Sequence, residues 1–141
     1  DRKSTSGTCQ FLGSMLISWY SKKQACVALS TTEAEYMALG SCCAQLLWIR
    51  QQLRDFGMLF NEIPIFCDNT SAINLSKNPV HHSKAKHIEV KHHFLRNHVT
   101  KKTIAIDHID TTNQLADIFT KAFNQDRFEF LRNHLGMRIT P

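Results

Sequence analysis

At 141 residues and 43% hydrophobic content, the chain holds one domain's worth of sequence, enough to bury a core. No apolar run approaches the roughly 18 residues of a membrane span, and the opening residues lack a signal-peptide pattern, so neither a membrane nor a secreted protein is expected. The net charge of +5 is unevenly placed, with a local +6 over residues 77–102 and −1 elsewhere.

In chain order, Asp1 to Gly7 reads as polar and turn-like. Thr8–Leu12 and Met15–Tyr20 are rich in β-branched, aromatic and aliphatic residues, and Gly13-Ser14 between them reads as a hairpin turn. Lys22-Lys23-Gln24 reads as an exposed bend, followed by extended chain over Cys26–Leu29. Ser30 and Glu33 then form an S-x-x-E capping box, which predicts a helix running to about Asp55. At about 100° per residue, Glu33, Ser41, Gln45, Gln52 and Asp55 share a polar side opposite Leu39, Cys42, Leu46, Ile49 and Leu53. Glu35 heads that apolar stripe. A carboxylate there is costly to desolvate unless a cation or metal pairs with it. The plainer alternative is a helix-start Glu that bends out to solvent or complements the helix dipole.

Ile63–Cys67 is a short continuous apolar run, as expected of a strand buried on both faces, with Pro64 tolerated only near its start. Asp68 follows at the strand's carboxyl end, where open α/β sheets keep their sites. Otherwise it merely caps the short helix beginning near Ala72, a task that suits Asn69 or Thr70 equally. Asn78-Pro79 breaks the chain, and helix resumes from Lys86 to about Lys101. Ile88, Leu95 and Val99 give that helix a core stripe, His92 falls within it as a core histidine, and Lys86, His93 and Arg96 share another side. Thr103–Ile109 alternates as a strand. Thr111 with Gln114 forms a second capping box, before a helix that buries Leu115, Ile118, Phe119 and Ala122. Asp117 lies about 160° from that stripe, which makes it an ordinary solvated carboxylate by periodicity alone. A last amphipathic segment runs from about Gln125 to Leu135, with Phe128, Leu131 and Leu135 inward and Gly136 as its stop.

The basic segment comprises Lys77, Lys84, Lys86, Lys91, Arg96, Lys101 and Lys102 against Glu89 alone. It points to a polyanion such as nucleic acid, the alternative being a solvated helix that binds nothing. The five cysteines, odd in number and without a C-x-x-C pair, suit a reduced intracellular protein. Six of eight histidines fall between His81 and His98, yet no thiolate or carboxylate sits at ligand spacing nearby, so structural zinc is not expected. Glu35, Asp68 and Asp117 are the better metal candidates, because they come from separate elements and carboxylates with substrate phosphate are what magnesium takes.

Six stretches carry a resemblance: Asp1–Gly7 (DRKSTSG), Leu16–Gln24 (LISWYSKKQ), Ala28–Leu39 (ALSTTEAEYMAL), Ile65–Ile73 (IFCDNTSAI), Asn78–Phe94 (NPVHHSKAKHIEVKHHF) and Asn113–Lys121 (NQLADIFTK). In this order, and over nearly the whole chain, they resemble the ribonuclease H domain at the carboxyl end of copia-type LTR retrotransposon Pol polyproteins. The resemblance implies an α/β, ribonuclease H-like fold: a five-stranded mixed sheet with helices on both faces. It implies hydrolysis of the RNA strand of an RNA–DNA hybrid with two Mg2+ ions, or Mn2+. It also implies that Glu35, Asp68 and Asp117 are the second, third and fourth metal-binding acids of the site. Lys84, Lys86, Lys91, His93 and Arg96 are then the expected nucleic-acid contacts, and the reverse transcriptase portion of the polyprotein the expected neighbour. The setting would be a cytoplasmic virus-like particle or the nucleus.

The family's first catalytic aspartate ends a strand lying ahead of the DRKSTSG stretch. Residues 1–141 are therefore expected to form a single domain truncated at its amino terminus, without the central strand and without activity as it stands. Ala122 also departs from the proline usual after the TK of NQLADIFTK. Two other readings of the residues remain: a non-catalytic nucleic-acid-binding module, or a structural remnant that self-associates through an exposed sheet edge.

Overall fold

The computed structural model describes residues 3–24, 27–28, 30–77 and 86–136, with the backbone alone for 86–92. Among these residues it is mixed α/β, with two small sheets and four α-helices. The first sheet is an antiparallel hairpin of β1 (Thr5–Leu12) and β2 (Met15–Lys23). Gly13, at φ +62°, supplies the left-handed residue that its tight turn requires. Both strands outrun the sequence reading, because Thr5–Gly7 pairs with Ser21–Lys23 instead of forming a turn and a bend.

The long helix α1 (Thr31–Asp55) starts where its cap residue dictates: the Ser30 hydroxyl accepts from the Glu33 N–H at 3.1 Å. It is followed by β3 (Ile63–Cys67), α2 (Thr70–Lys77), α3 (Lys86–Thr100) and β4 (Ile104–His108). β3 and β4 pair in parallel, with Ile65 opposite Ile106. Between them and the helices sits the core of Tyr36, Leu39, Cys43, Ile65, Cys67, Ile73, Leu95, Ile104 and Ile106. Strand β3 is buried on one face only, a correction to the sequence reading: Ile65 and Cys67 point into the core, while Phe66 is 53% exposed.

The hairpin meets α1 through polar groups, not an apolar seam. Ser6, Thr8 and Gln10 are the buried side of β1. Gln24 Nε2 donates to Ser6 Oγ at 2.8 Å and to the Ala34 carbonyl at 3.0 Å. After β4 come two short 3₁₀ helices, Thr111–Asn113 and Leu115–Phe119, where a capping box and α-helix were expected. Gln114 is itself the cap, its Oε1 accepting from the Ala116 N–H at 3.4 Å. Leu115, Ile118 and Phe119 are only half-buried there, and Ala122 is exposed. Helix α4 (Gln125–Leu135) closes the described chain at Gly136, φ +77°, with Leu131 and Leu135 buried and Phe128 exposed against expectation.

Among the described residues the two sheets are not hydrogen-bonded to each other. A cavity of about 950 Å³ lies between β1 and β3, floored by Ala38, Leu39, Cys42 and Leu46 of α1. At one end, Gly7 of β1 packs on Ala116 and Thr120, and Gln114 Nε2 reaches the Phe66 carbonyl of β3. At the other end, Phe11–Gly13 and Ile63–Pro64 line one smaller cleft. The start of β1 therefore lies beside the end of β3, and the two run in opposite directions.

Candidate metal centre

Three acids converge where β3 ends. Asp68 is the first residue beyond β3, and Asn69, not Asp68, caps α2 by accepting from the Ala72 N–H at 2.9 Å. Asp68 is thereby left to face α1. Glu35 sits in the first turn and a half of α1, where Ser30 sets the helix start and hence its phase. The Glu35 carboxylate, the Cys67 thiol and the Asp68 carboxylate lie within 4.8 Å of one another. Asp117 comes from the 3₁₀ helix Leu115–Phe119, and its charge is felt by Glu35 while it feels that of Asp68. The α-helical phase that put Asp117 in solvent does not apply, because three residues per turn rotate it differently. Asp117 is half-buried.

The electrostatics are those of crowded carboxylates. Partial burial, then the charges of Asp68 and Asp117, push the Glu35 carboxyl above its usual range, and the Lys121 ammonium pulls it back. Burial and then Asp68 push Asp117 up in the same direction, opposed by Lys121 and Arg127. Glu35 as a residue is exposed, so its repulsion is partly screened by water. Cys67 is 3% exposed, and burial pushes its thiol up to about 11. It stays protonated at neutral pH, with its Sγ 3.7 Å from the Asn69 carbonyl as donor. The available donors are thus carboxylate oxygens, which suit a hard divalent cation such as Mg2+ or Mn2+ better than a thiophilic one.

Lys121 is a member of the site that the residue pattern did not single out. It follows Asp117 by four positions, and its ammonium also lies 5.4 Å from the Phe123 ring. Arg127 ties α4 to the segment before the site, donating to the carbonyls of Thr112 at 2.8 Å and Thr111 at 3.1 Å. Of the expected nucleic-acid contacts, His93 is exposed and Arg96 half-buried on α3. Lys86 and Lys91 belong to the same helix, with side chains outside the described residues, as Lys84 is altogether. His81 and His82 also lie outside them. No helix among the described residues is long and apolar enough to cross a membrane.

No family model matches the chain, and no solved structure does. It is 39% identical over 137 residues, 97% of its length, to the retrovirus-related Pol polyprotein from transposon TNT 1-94 of Nicotiana tabacum. It is 39% identical over 142 aligned residues, its entire length, to those from transposons RE1 and RE2 of Arabidopsis thaliana. The chain spans about a tenth of the length of each of these relatives. From end to end, it is homologous to one segment of the retrovirus-related Pol polyproteins of plant transposons.

Proposed function

We propose that the chain is the ribonuclease H portion of a copia-type retrotransposon Pol polyprotein, acting on the RNA strand of RNA–DNA hybrids beside the reverse transcriptase portion. One observation carries the reading: Glu35, Asp68 and Asp117, from three separate elements, crowd at one strand end with Lys121 as the nearby compensating cation. Their mutual repulsion is what a bound divalent cation relieves. Glu35, Asp68 and Asp117 would hold two Mg2+ ions, or Mn2+; such ions activate water and stabilise the leaving oxygen of a phosphodiester. Lys121 limits the repulsion before the cations arrive. The basic residues of α3 hold the hybrid's phosphates, chiefly through charge. Cys67, whose buried thiol is pushed up to about 11, lies beside Glu35 and Asp68 and is a poorer donor to a hard cation than their oxygens.

Three acids among the described residues neutralise such a pair of ions only in part, so residues 1–141 assayed alone are expected to be inactive in this reading. The test combines thermal melts with and without Mg2+ or Mn2+ and an RNA–DNA hybrid cleavage assay. A metal-dependent rise in melting temperature that Asp68→Asn abolishes, without cleavage by the chain, is the expected result. A melt indifferent to both metals removes the site. Robust cleavage lost on Asp68→Asn removes the claim of inactivity.

A further inference from the structure

Helix α4 buries Leu131 and Leu135, and beside that stripe Arg127, Phe130 and His134 recur at i, i+3 and i+7, which puts them on one flank. The three are stacked. The guanidinium carbon of Arg127 lies 5.2 Å from the Phe130 ring centroid, and the Phe130 and His134 rings stand 4.1 Å apart at 34°. Hydrogen bonds hold both ends of the stack. Arg127 donates to the carbonyls of Thr111 and Thr112, and His134 Nδ1 donates to the Phe130 carbonyl at 2.8 Å. Even so, Phe130 is 38% exposed and His134 is exposed. Planar groups are thus fixed in place with ring surface open to solvent, so a flat ligand meets them already ordered.

The stack adjoins the acids. Lys121 and His134 line the same cavity as Glu35 and Asp117, and the charge of Arg127 is felt by Asp117. Lys121 in turn stands 5.4 Å from the Phe123 ring. Cations interleaved with aromatic rings suit an unpaired nucleotide, whose base stacks on a ring while its phosphate meets a cation. A base inside a duplex has its faces covered by its neighbours and offers neither to a protein ring. A wholly apolar partner would have to strip water from Lys121 without pairing its charge.

The geometry points to a stacking subsite at Phe130 and His134 for an unpaired base of the RNA strand, where that strand runs past the acids and out of the hybrid, with Lys121 holding the intervening phosphate. The choice of RNA rests on the ribonuclease reading, in which RNA is the strand lying on the acids that the stack adjoins. Binding is measured without metal and without cleavage, so the subsite and that reading can fail separately.

The test is equilibrium binding of residues 1–141 in metal-free buffer to a blunt RNA–DNA hybrid and to three extended forms. One carries unpaired nucleotides at both ends of the RNA strand, one carries the same extensions without bases, and one extends the DNA strand instead. The RNA extensions are expected to tighten binding by about fivefold or more, the gain of one stacked base, while the abasic and DNA extensions leave the blunt value. Phe130→Leu should remove the gain and Phe130→Trp should keep it, with thermal melts to show that each chain folds. Should Phe130→Leu fail to fold, His134→Ala takes its place with the same loss expected, and the abasic comparison on the parent chain decides in any case. An equal gain from the abasic extensions overturns the subsite, because charge alone then suffices. A gain that persists in a folded Phe130→Leu chain overturns it as well, and an equal gain from the DNA extensions overturns the choice of strand. Should no hybrid bind, the ribonuclease reading fails by itself. A single-stranded RNA should then still bind more tightly than its abasic counterpart, and equal or absent binding overturns the subsite too.

Discussion

Gln114 Nε2 donates to the carbonyl oxygen of Phe66 at 3.1 Å, across a sequence separation of 48 residues. The same side chain caps the 3₁₀ helix Leu115–Phe119 through its Oε1, so one amide fixes both the end of β3 and the start of the segment bearing Asp117. Asp68 and Asp117 are held near each other by this side chain. Gln114→Ala should therefore cost about 1 kcal/mol of stability and weaken Mn2+ binding, with Asp68 itself unchanged. Thermal melts and a Mn2+ titration check both; unaltered Mn2+ affinity would reduce Gln114 to a simple cap.

Glu35→Gln should be neutral or stabilising in metal-free buffer, because it removes one of three crowded negative charges. It should also abolish the metal-induced rise in melting temperature. A variant that keeps the full Mg2+ shift shows that Glu35 is not a ligand.

The pH dependence follows in sign from the same crowding. Glu35 and Asp117 have folded-state pKa values raised above their ordinary ones, so the folded chain holds their protons more tightly than the unfolded chain. Their repulsion is fully felt above the raised values. Without metal, it should fade as pH falls through those values towards the ordinary carboxylate range, giving a local gain in stability. Saturating Mg2+ should reverse that slope, since protons then compete with the cation. Melting temperature against pH, with and without Mg2+, measures both slopes. Parallel curves would contradict the site.

Gly7→Ala should destabilise the chain by about 1–3 kcal/mol. A Cβ built there would stand 2.7 Å from Thr120 Cγ2 and 2.8 Å from the Ala116 carbonyl oxygen. The backbone oxygen has little freedom to move away, so the segment carrying Asp117 would be pushed off β1. Denaturant unfolding checks the loss, and a chain as stable as the parent would mean that this packing is loose.

Replacing Lys86, Lys91 and Arg96 together by Gln should weaken binding of an RNA–DNA hybrid and flatten its dependence on salt, because each phosphate contact releases counterions. Binding measured across a salt series decides. An unchanged slope assigns these three residues to plain solvent exposure.

The strong local signals in the sequence are those that the structure repeats. Ser30 starts α1, Ile63–Cys67 is β3 to the residue, and Gly136 stops α4. The resemblance, not periodicity, brought Asp117 to the site. An α-helical phase misplaces it because Gln114 caps a 3₁₀ turn, and nothing in residues 111–119 distinguishes that tighter helix from an α-helix by pattern alone. The apolar stripe read on α1 is also shifted. Tyr36, Met37, Leu39, Gly40 and Cys43 form its buried side, because Tyr36, Leu39 and Cys43 pack in the core with residues of β3, β4 and α3, while Gln10 and Gln24 of the hairpin reach Cys42 and Ala34 of the same helix. Contacts of that kind join residues far apart in the chain and leave no local mark.

Pro64 gives the β3 wall of the cavity a gradient. Its ring nitrogen has no hydrogen to offer, whereas Phe66, two residues closer to Asp68, has an N–H on that side beside a carbonyl that Gln114 already engages. A strand zipped along β3 would then be held most tightly at its final residues and loosely at its first ones. Thermal fraying would be confined to the end remote from the acids. Whatever residue finished such a strand would be positioned next to Glu35, Asp68 and Asp117 with the least play in the whole ladder.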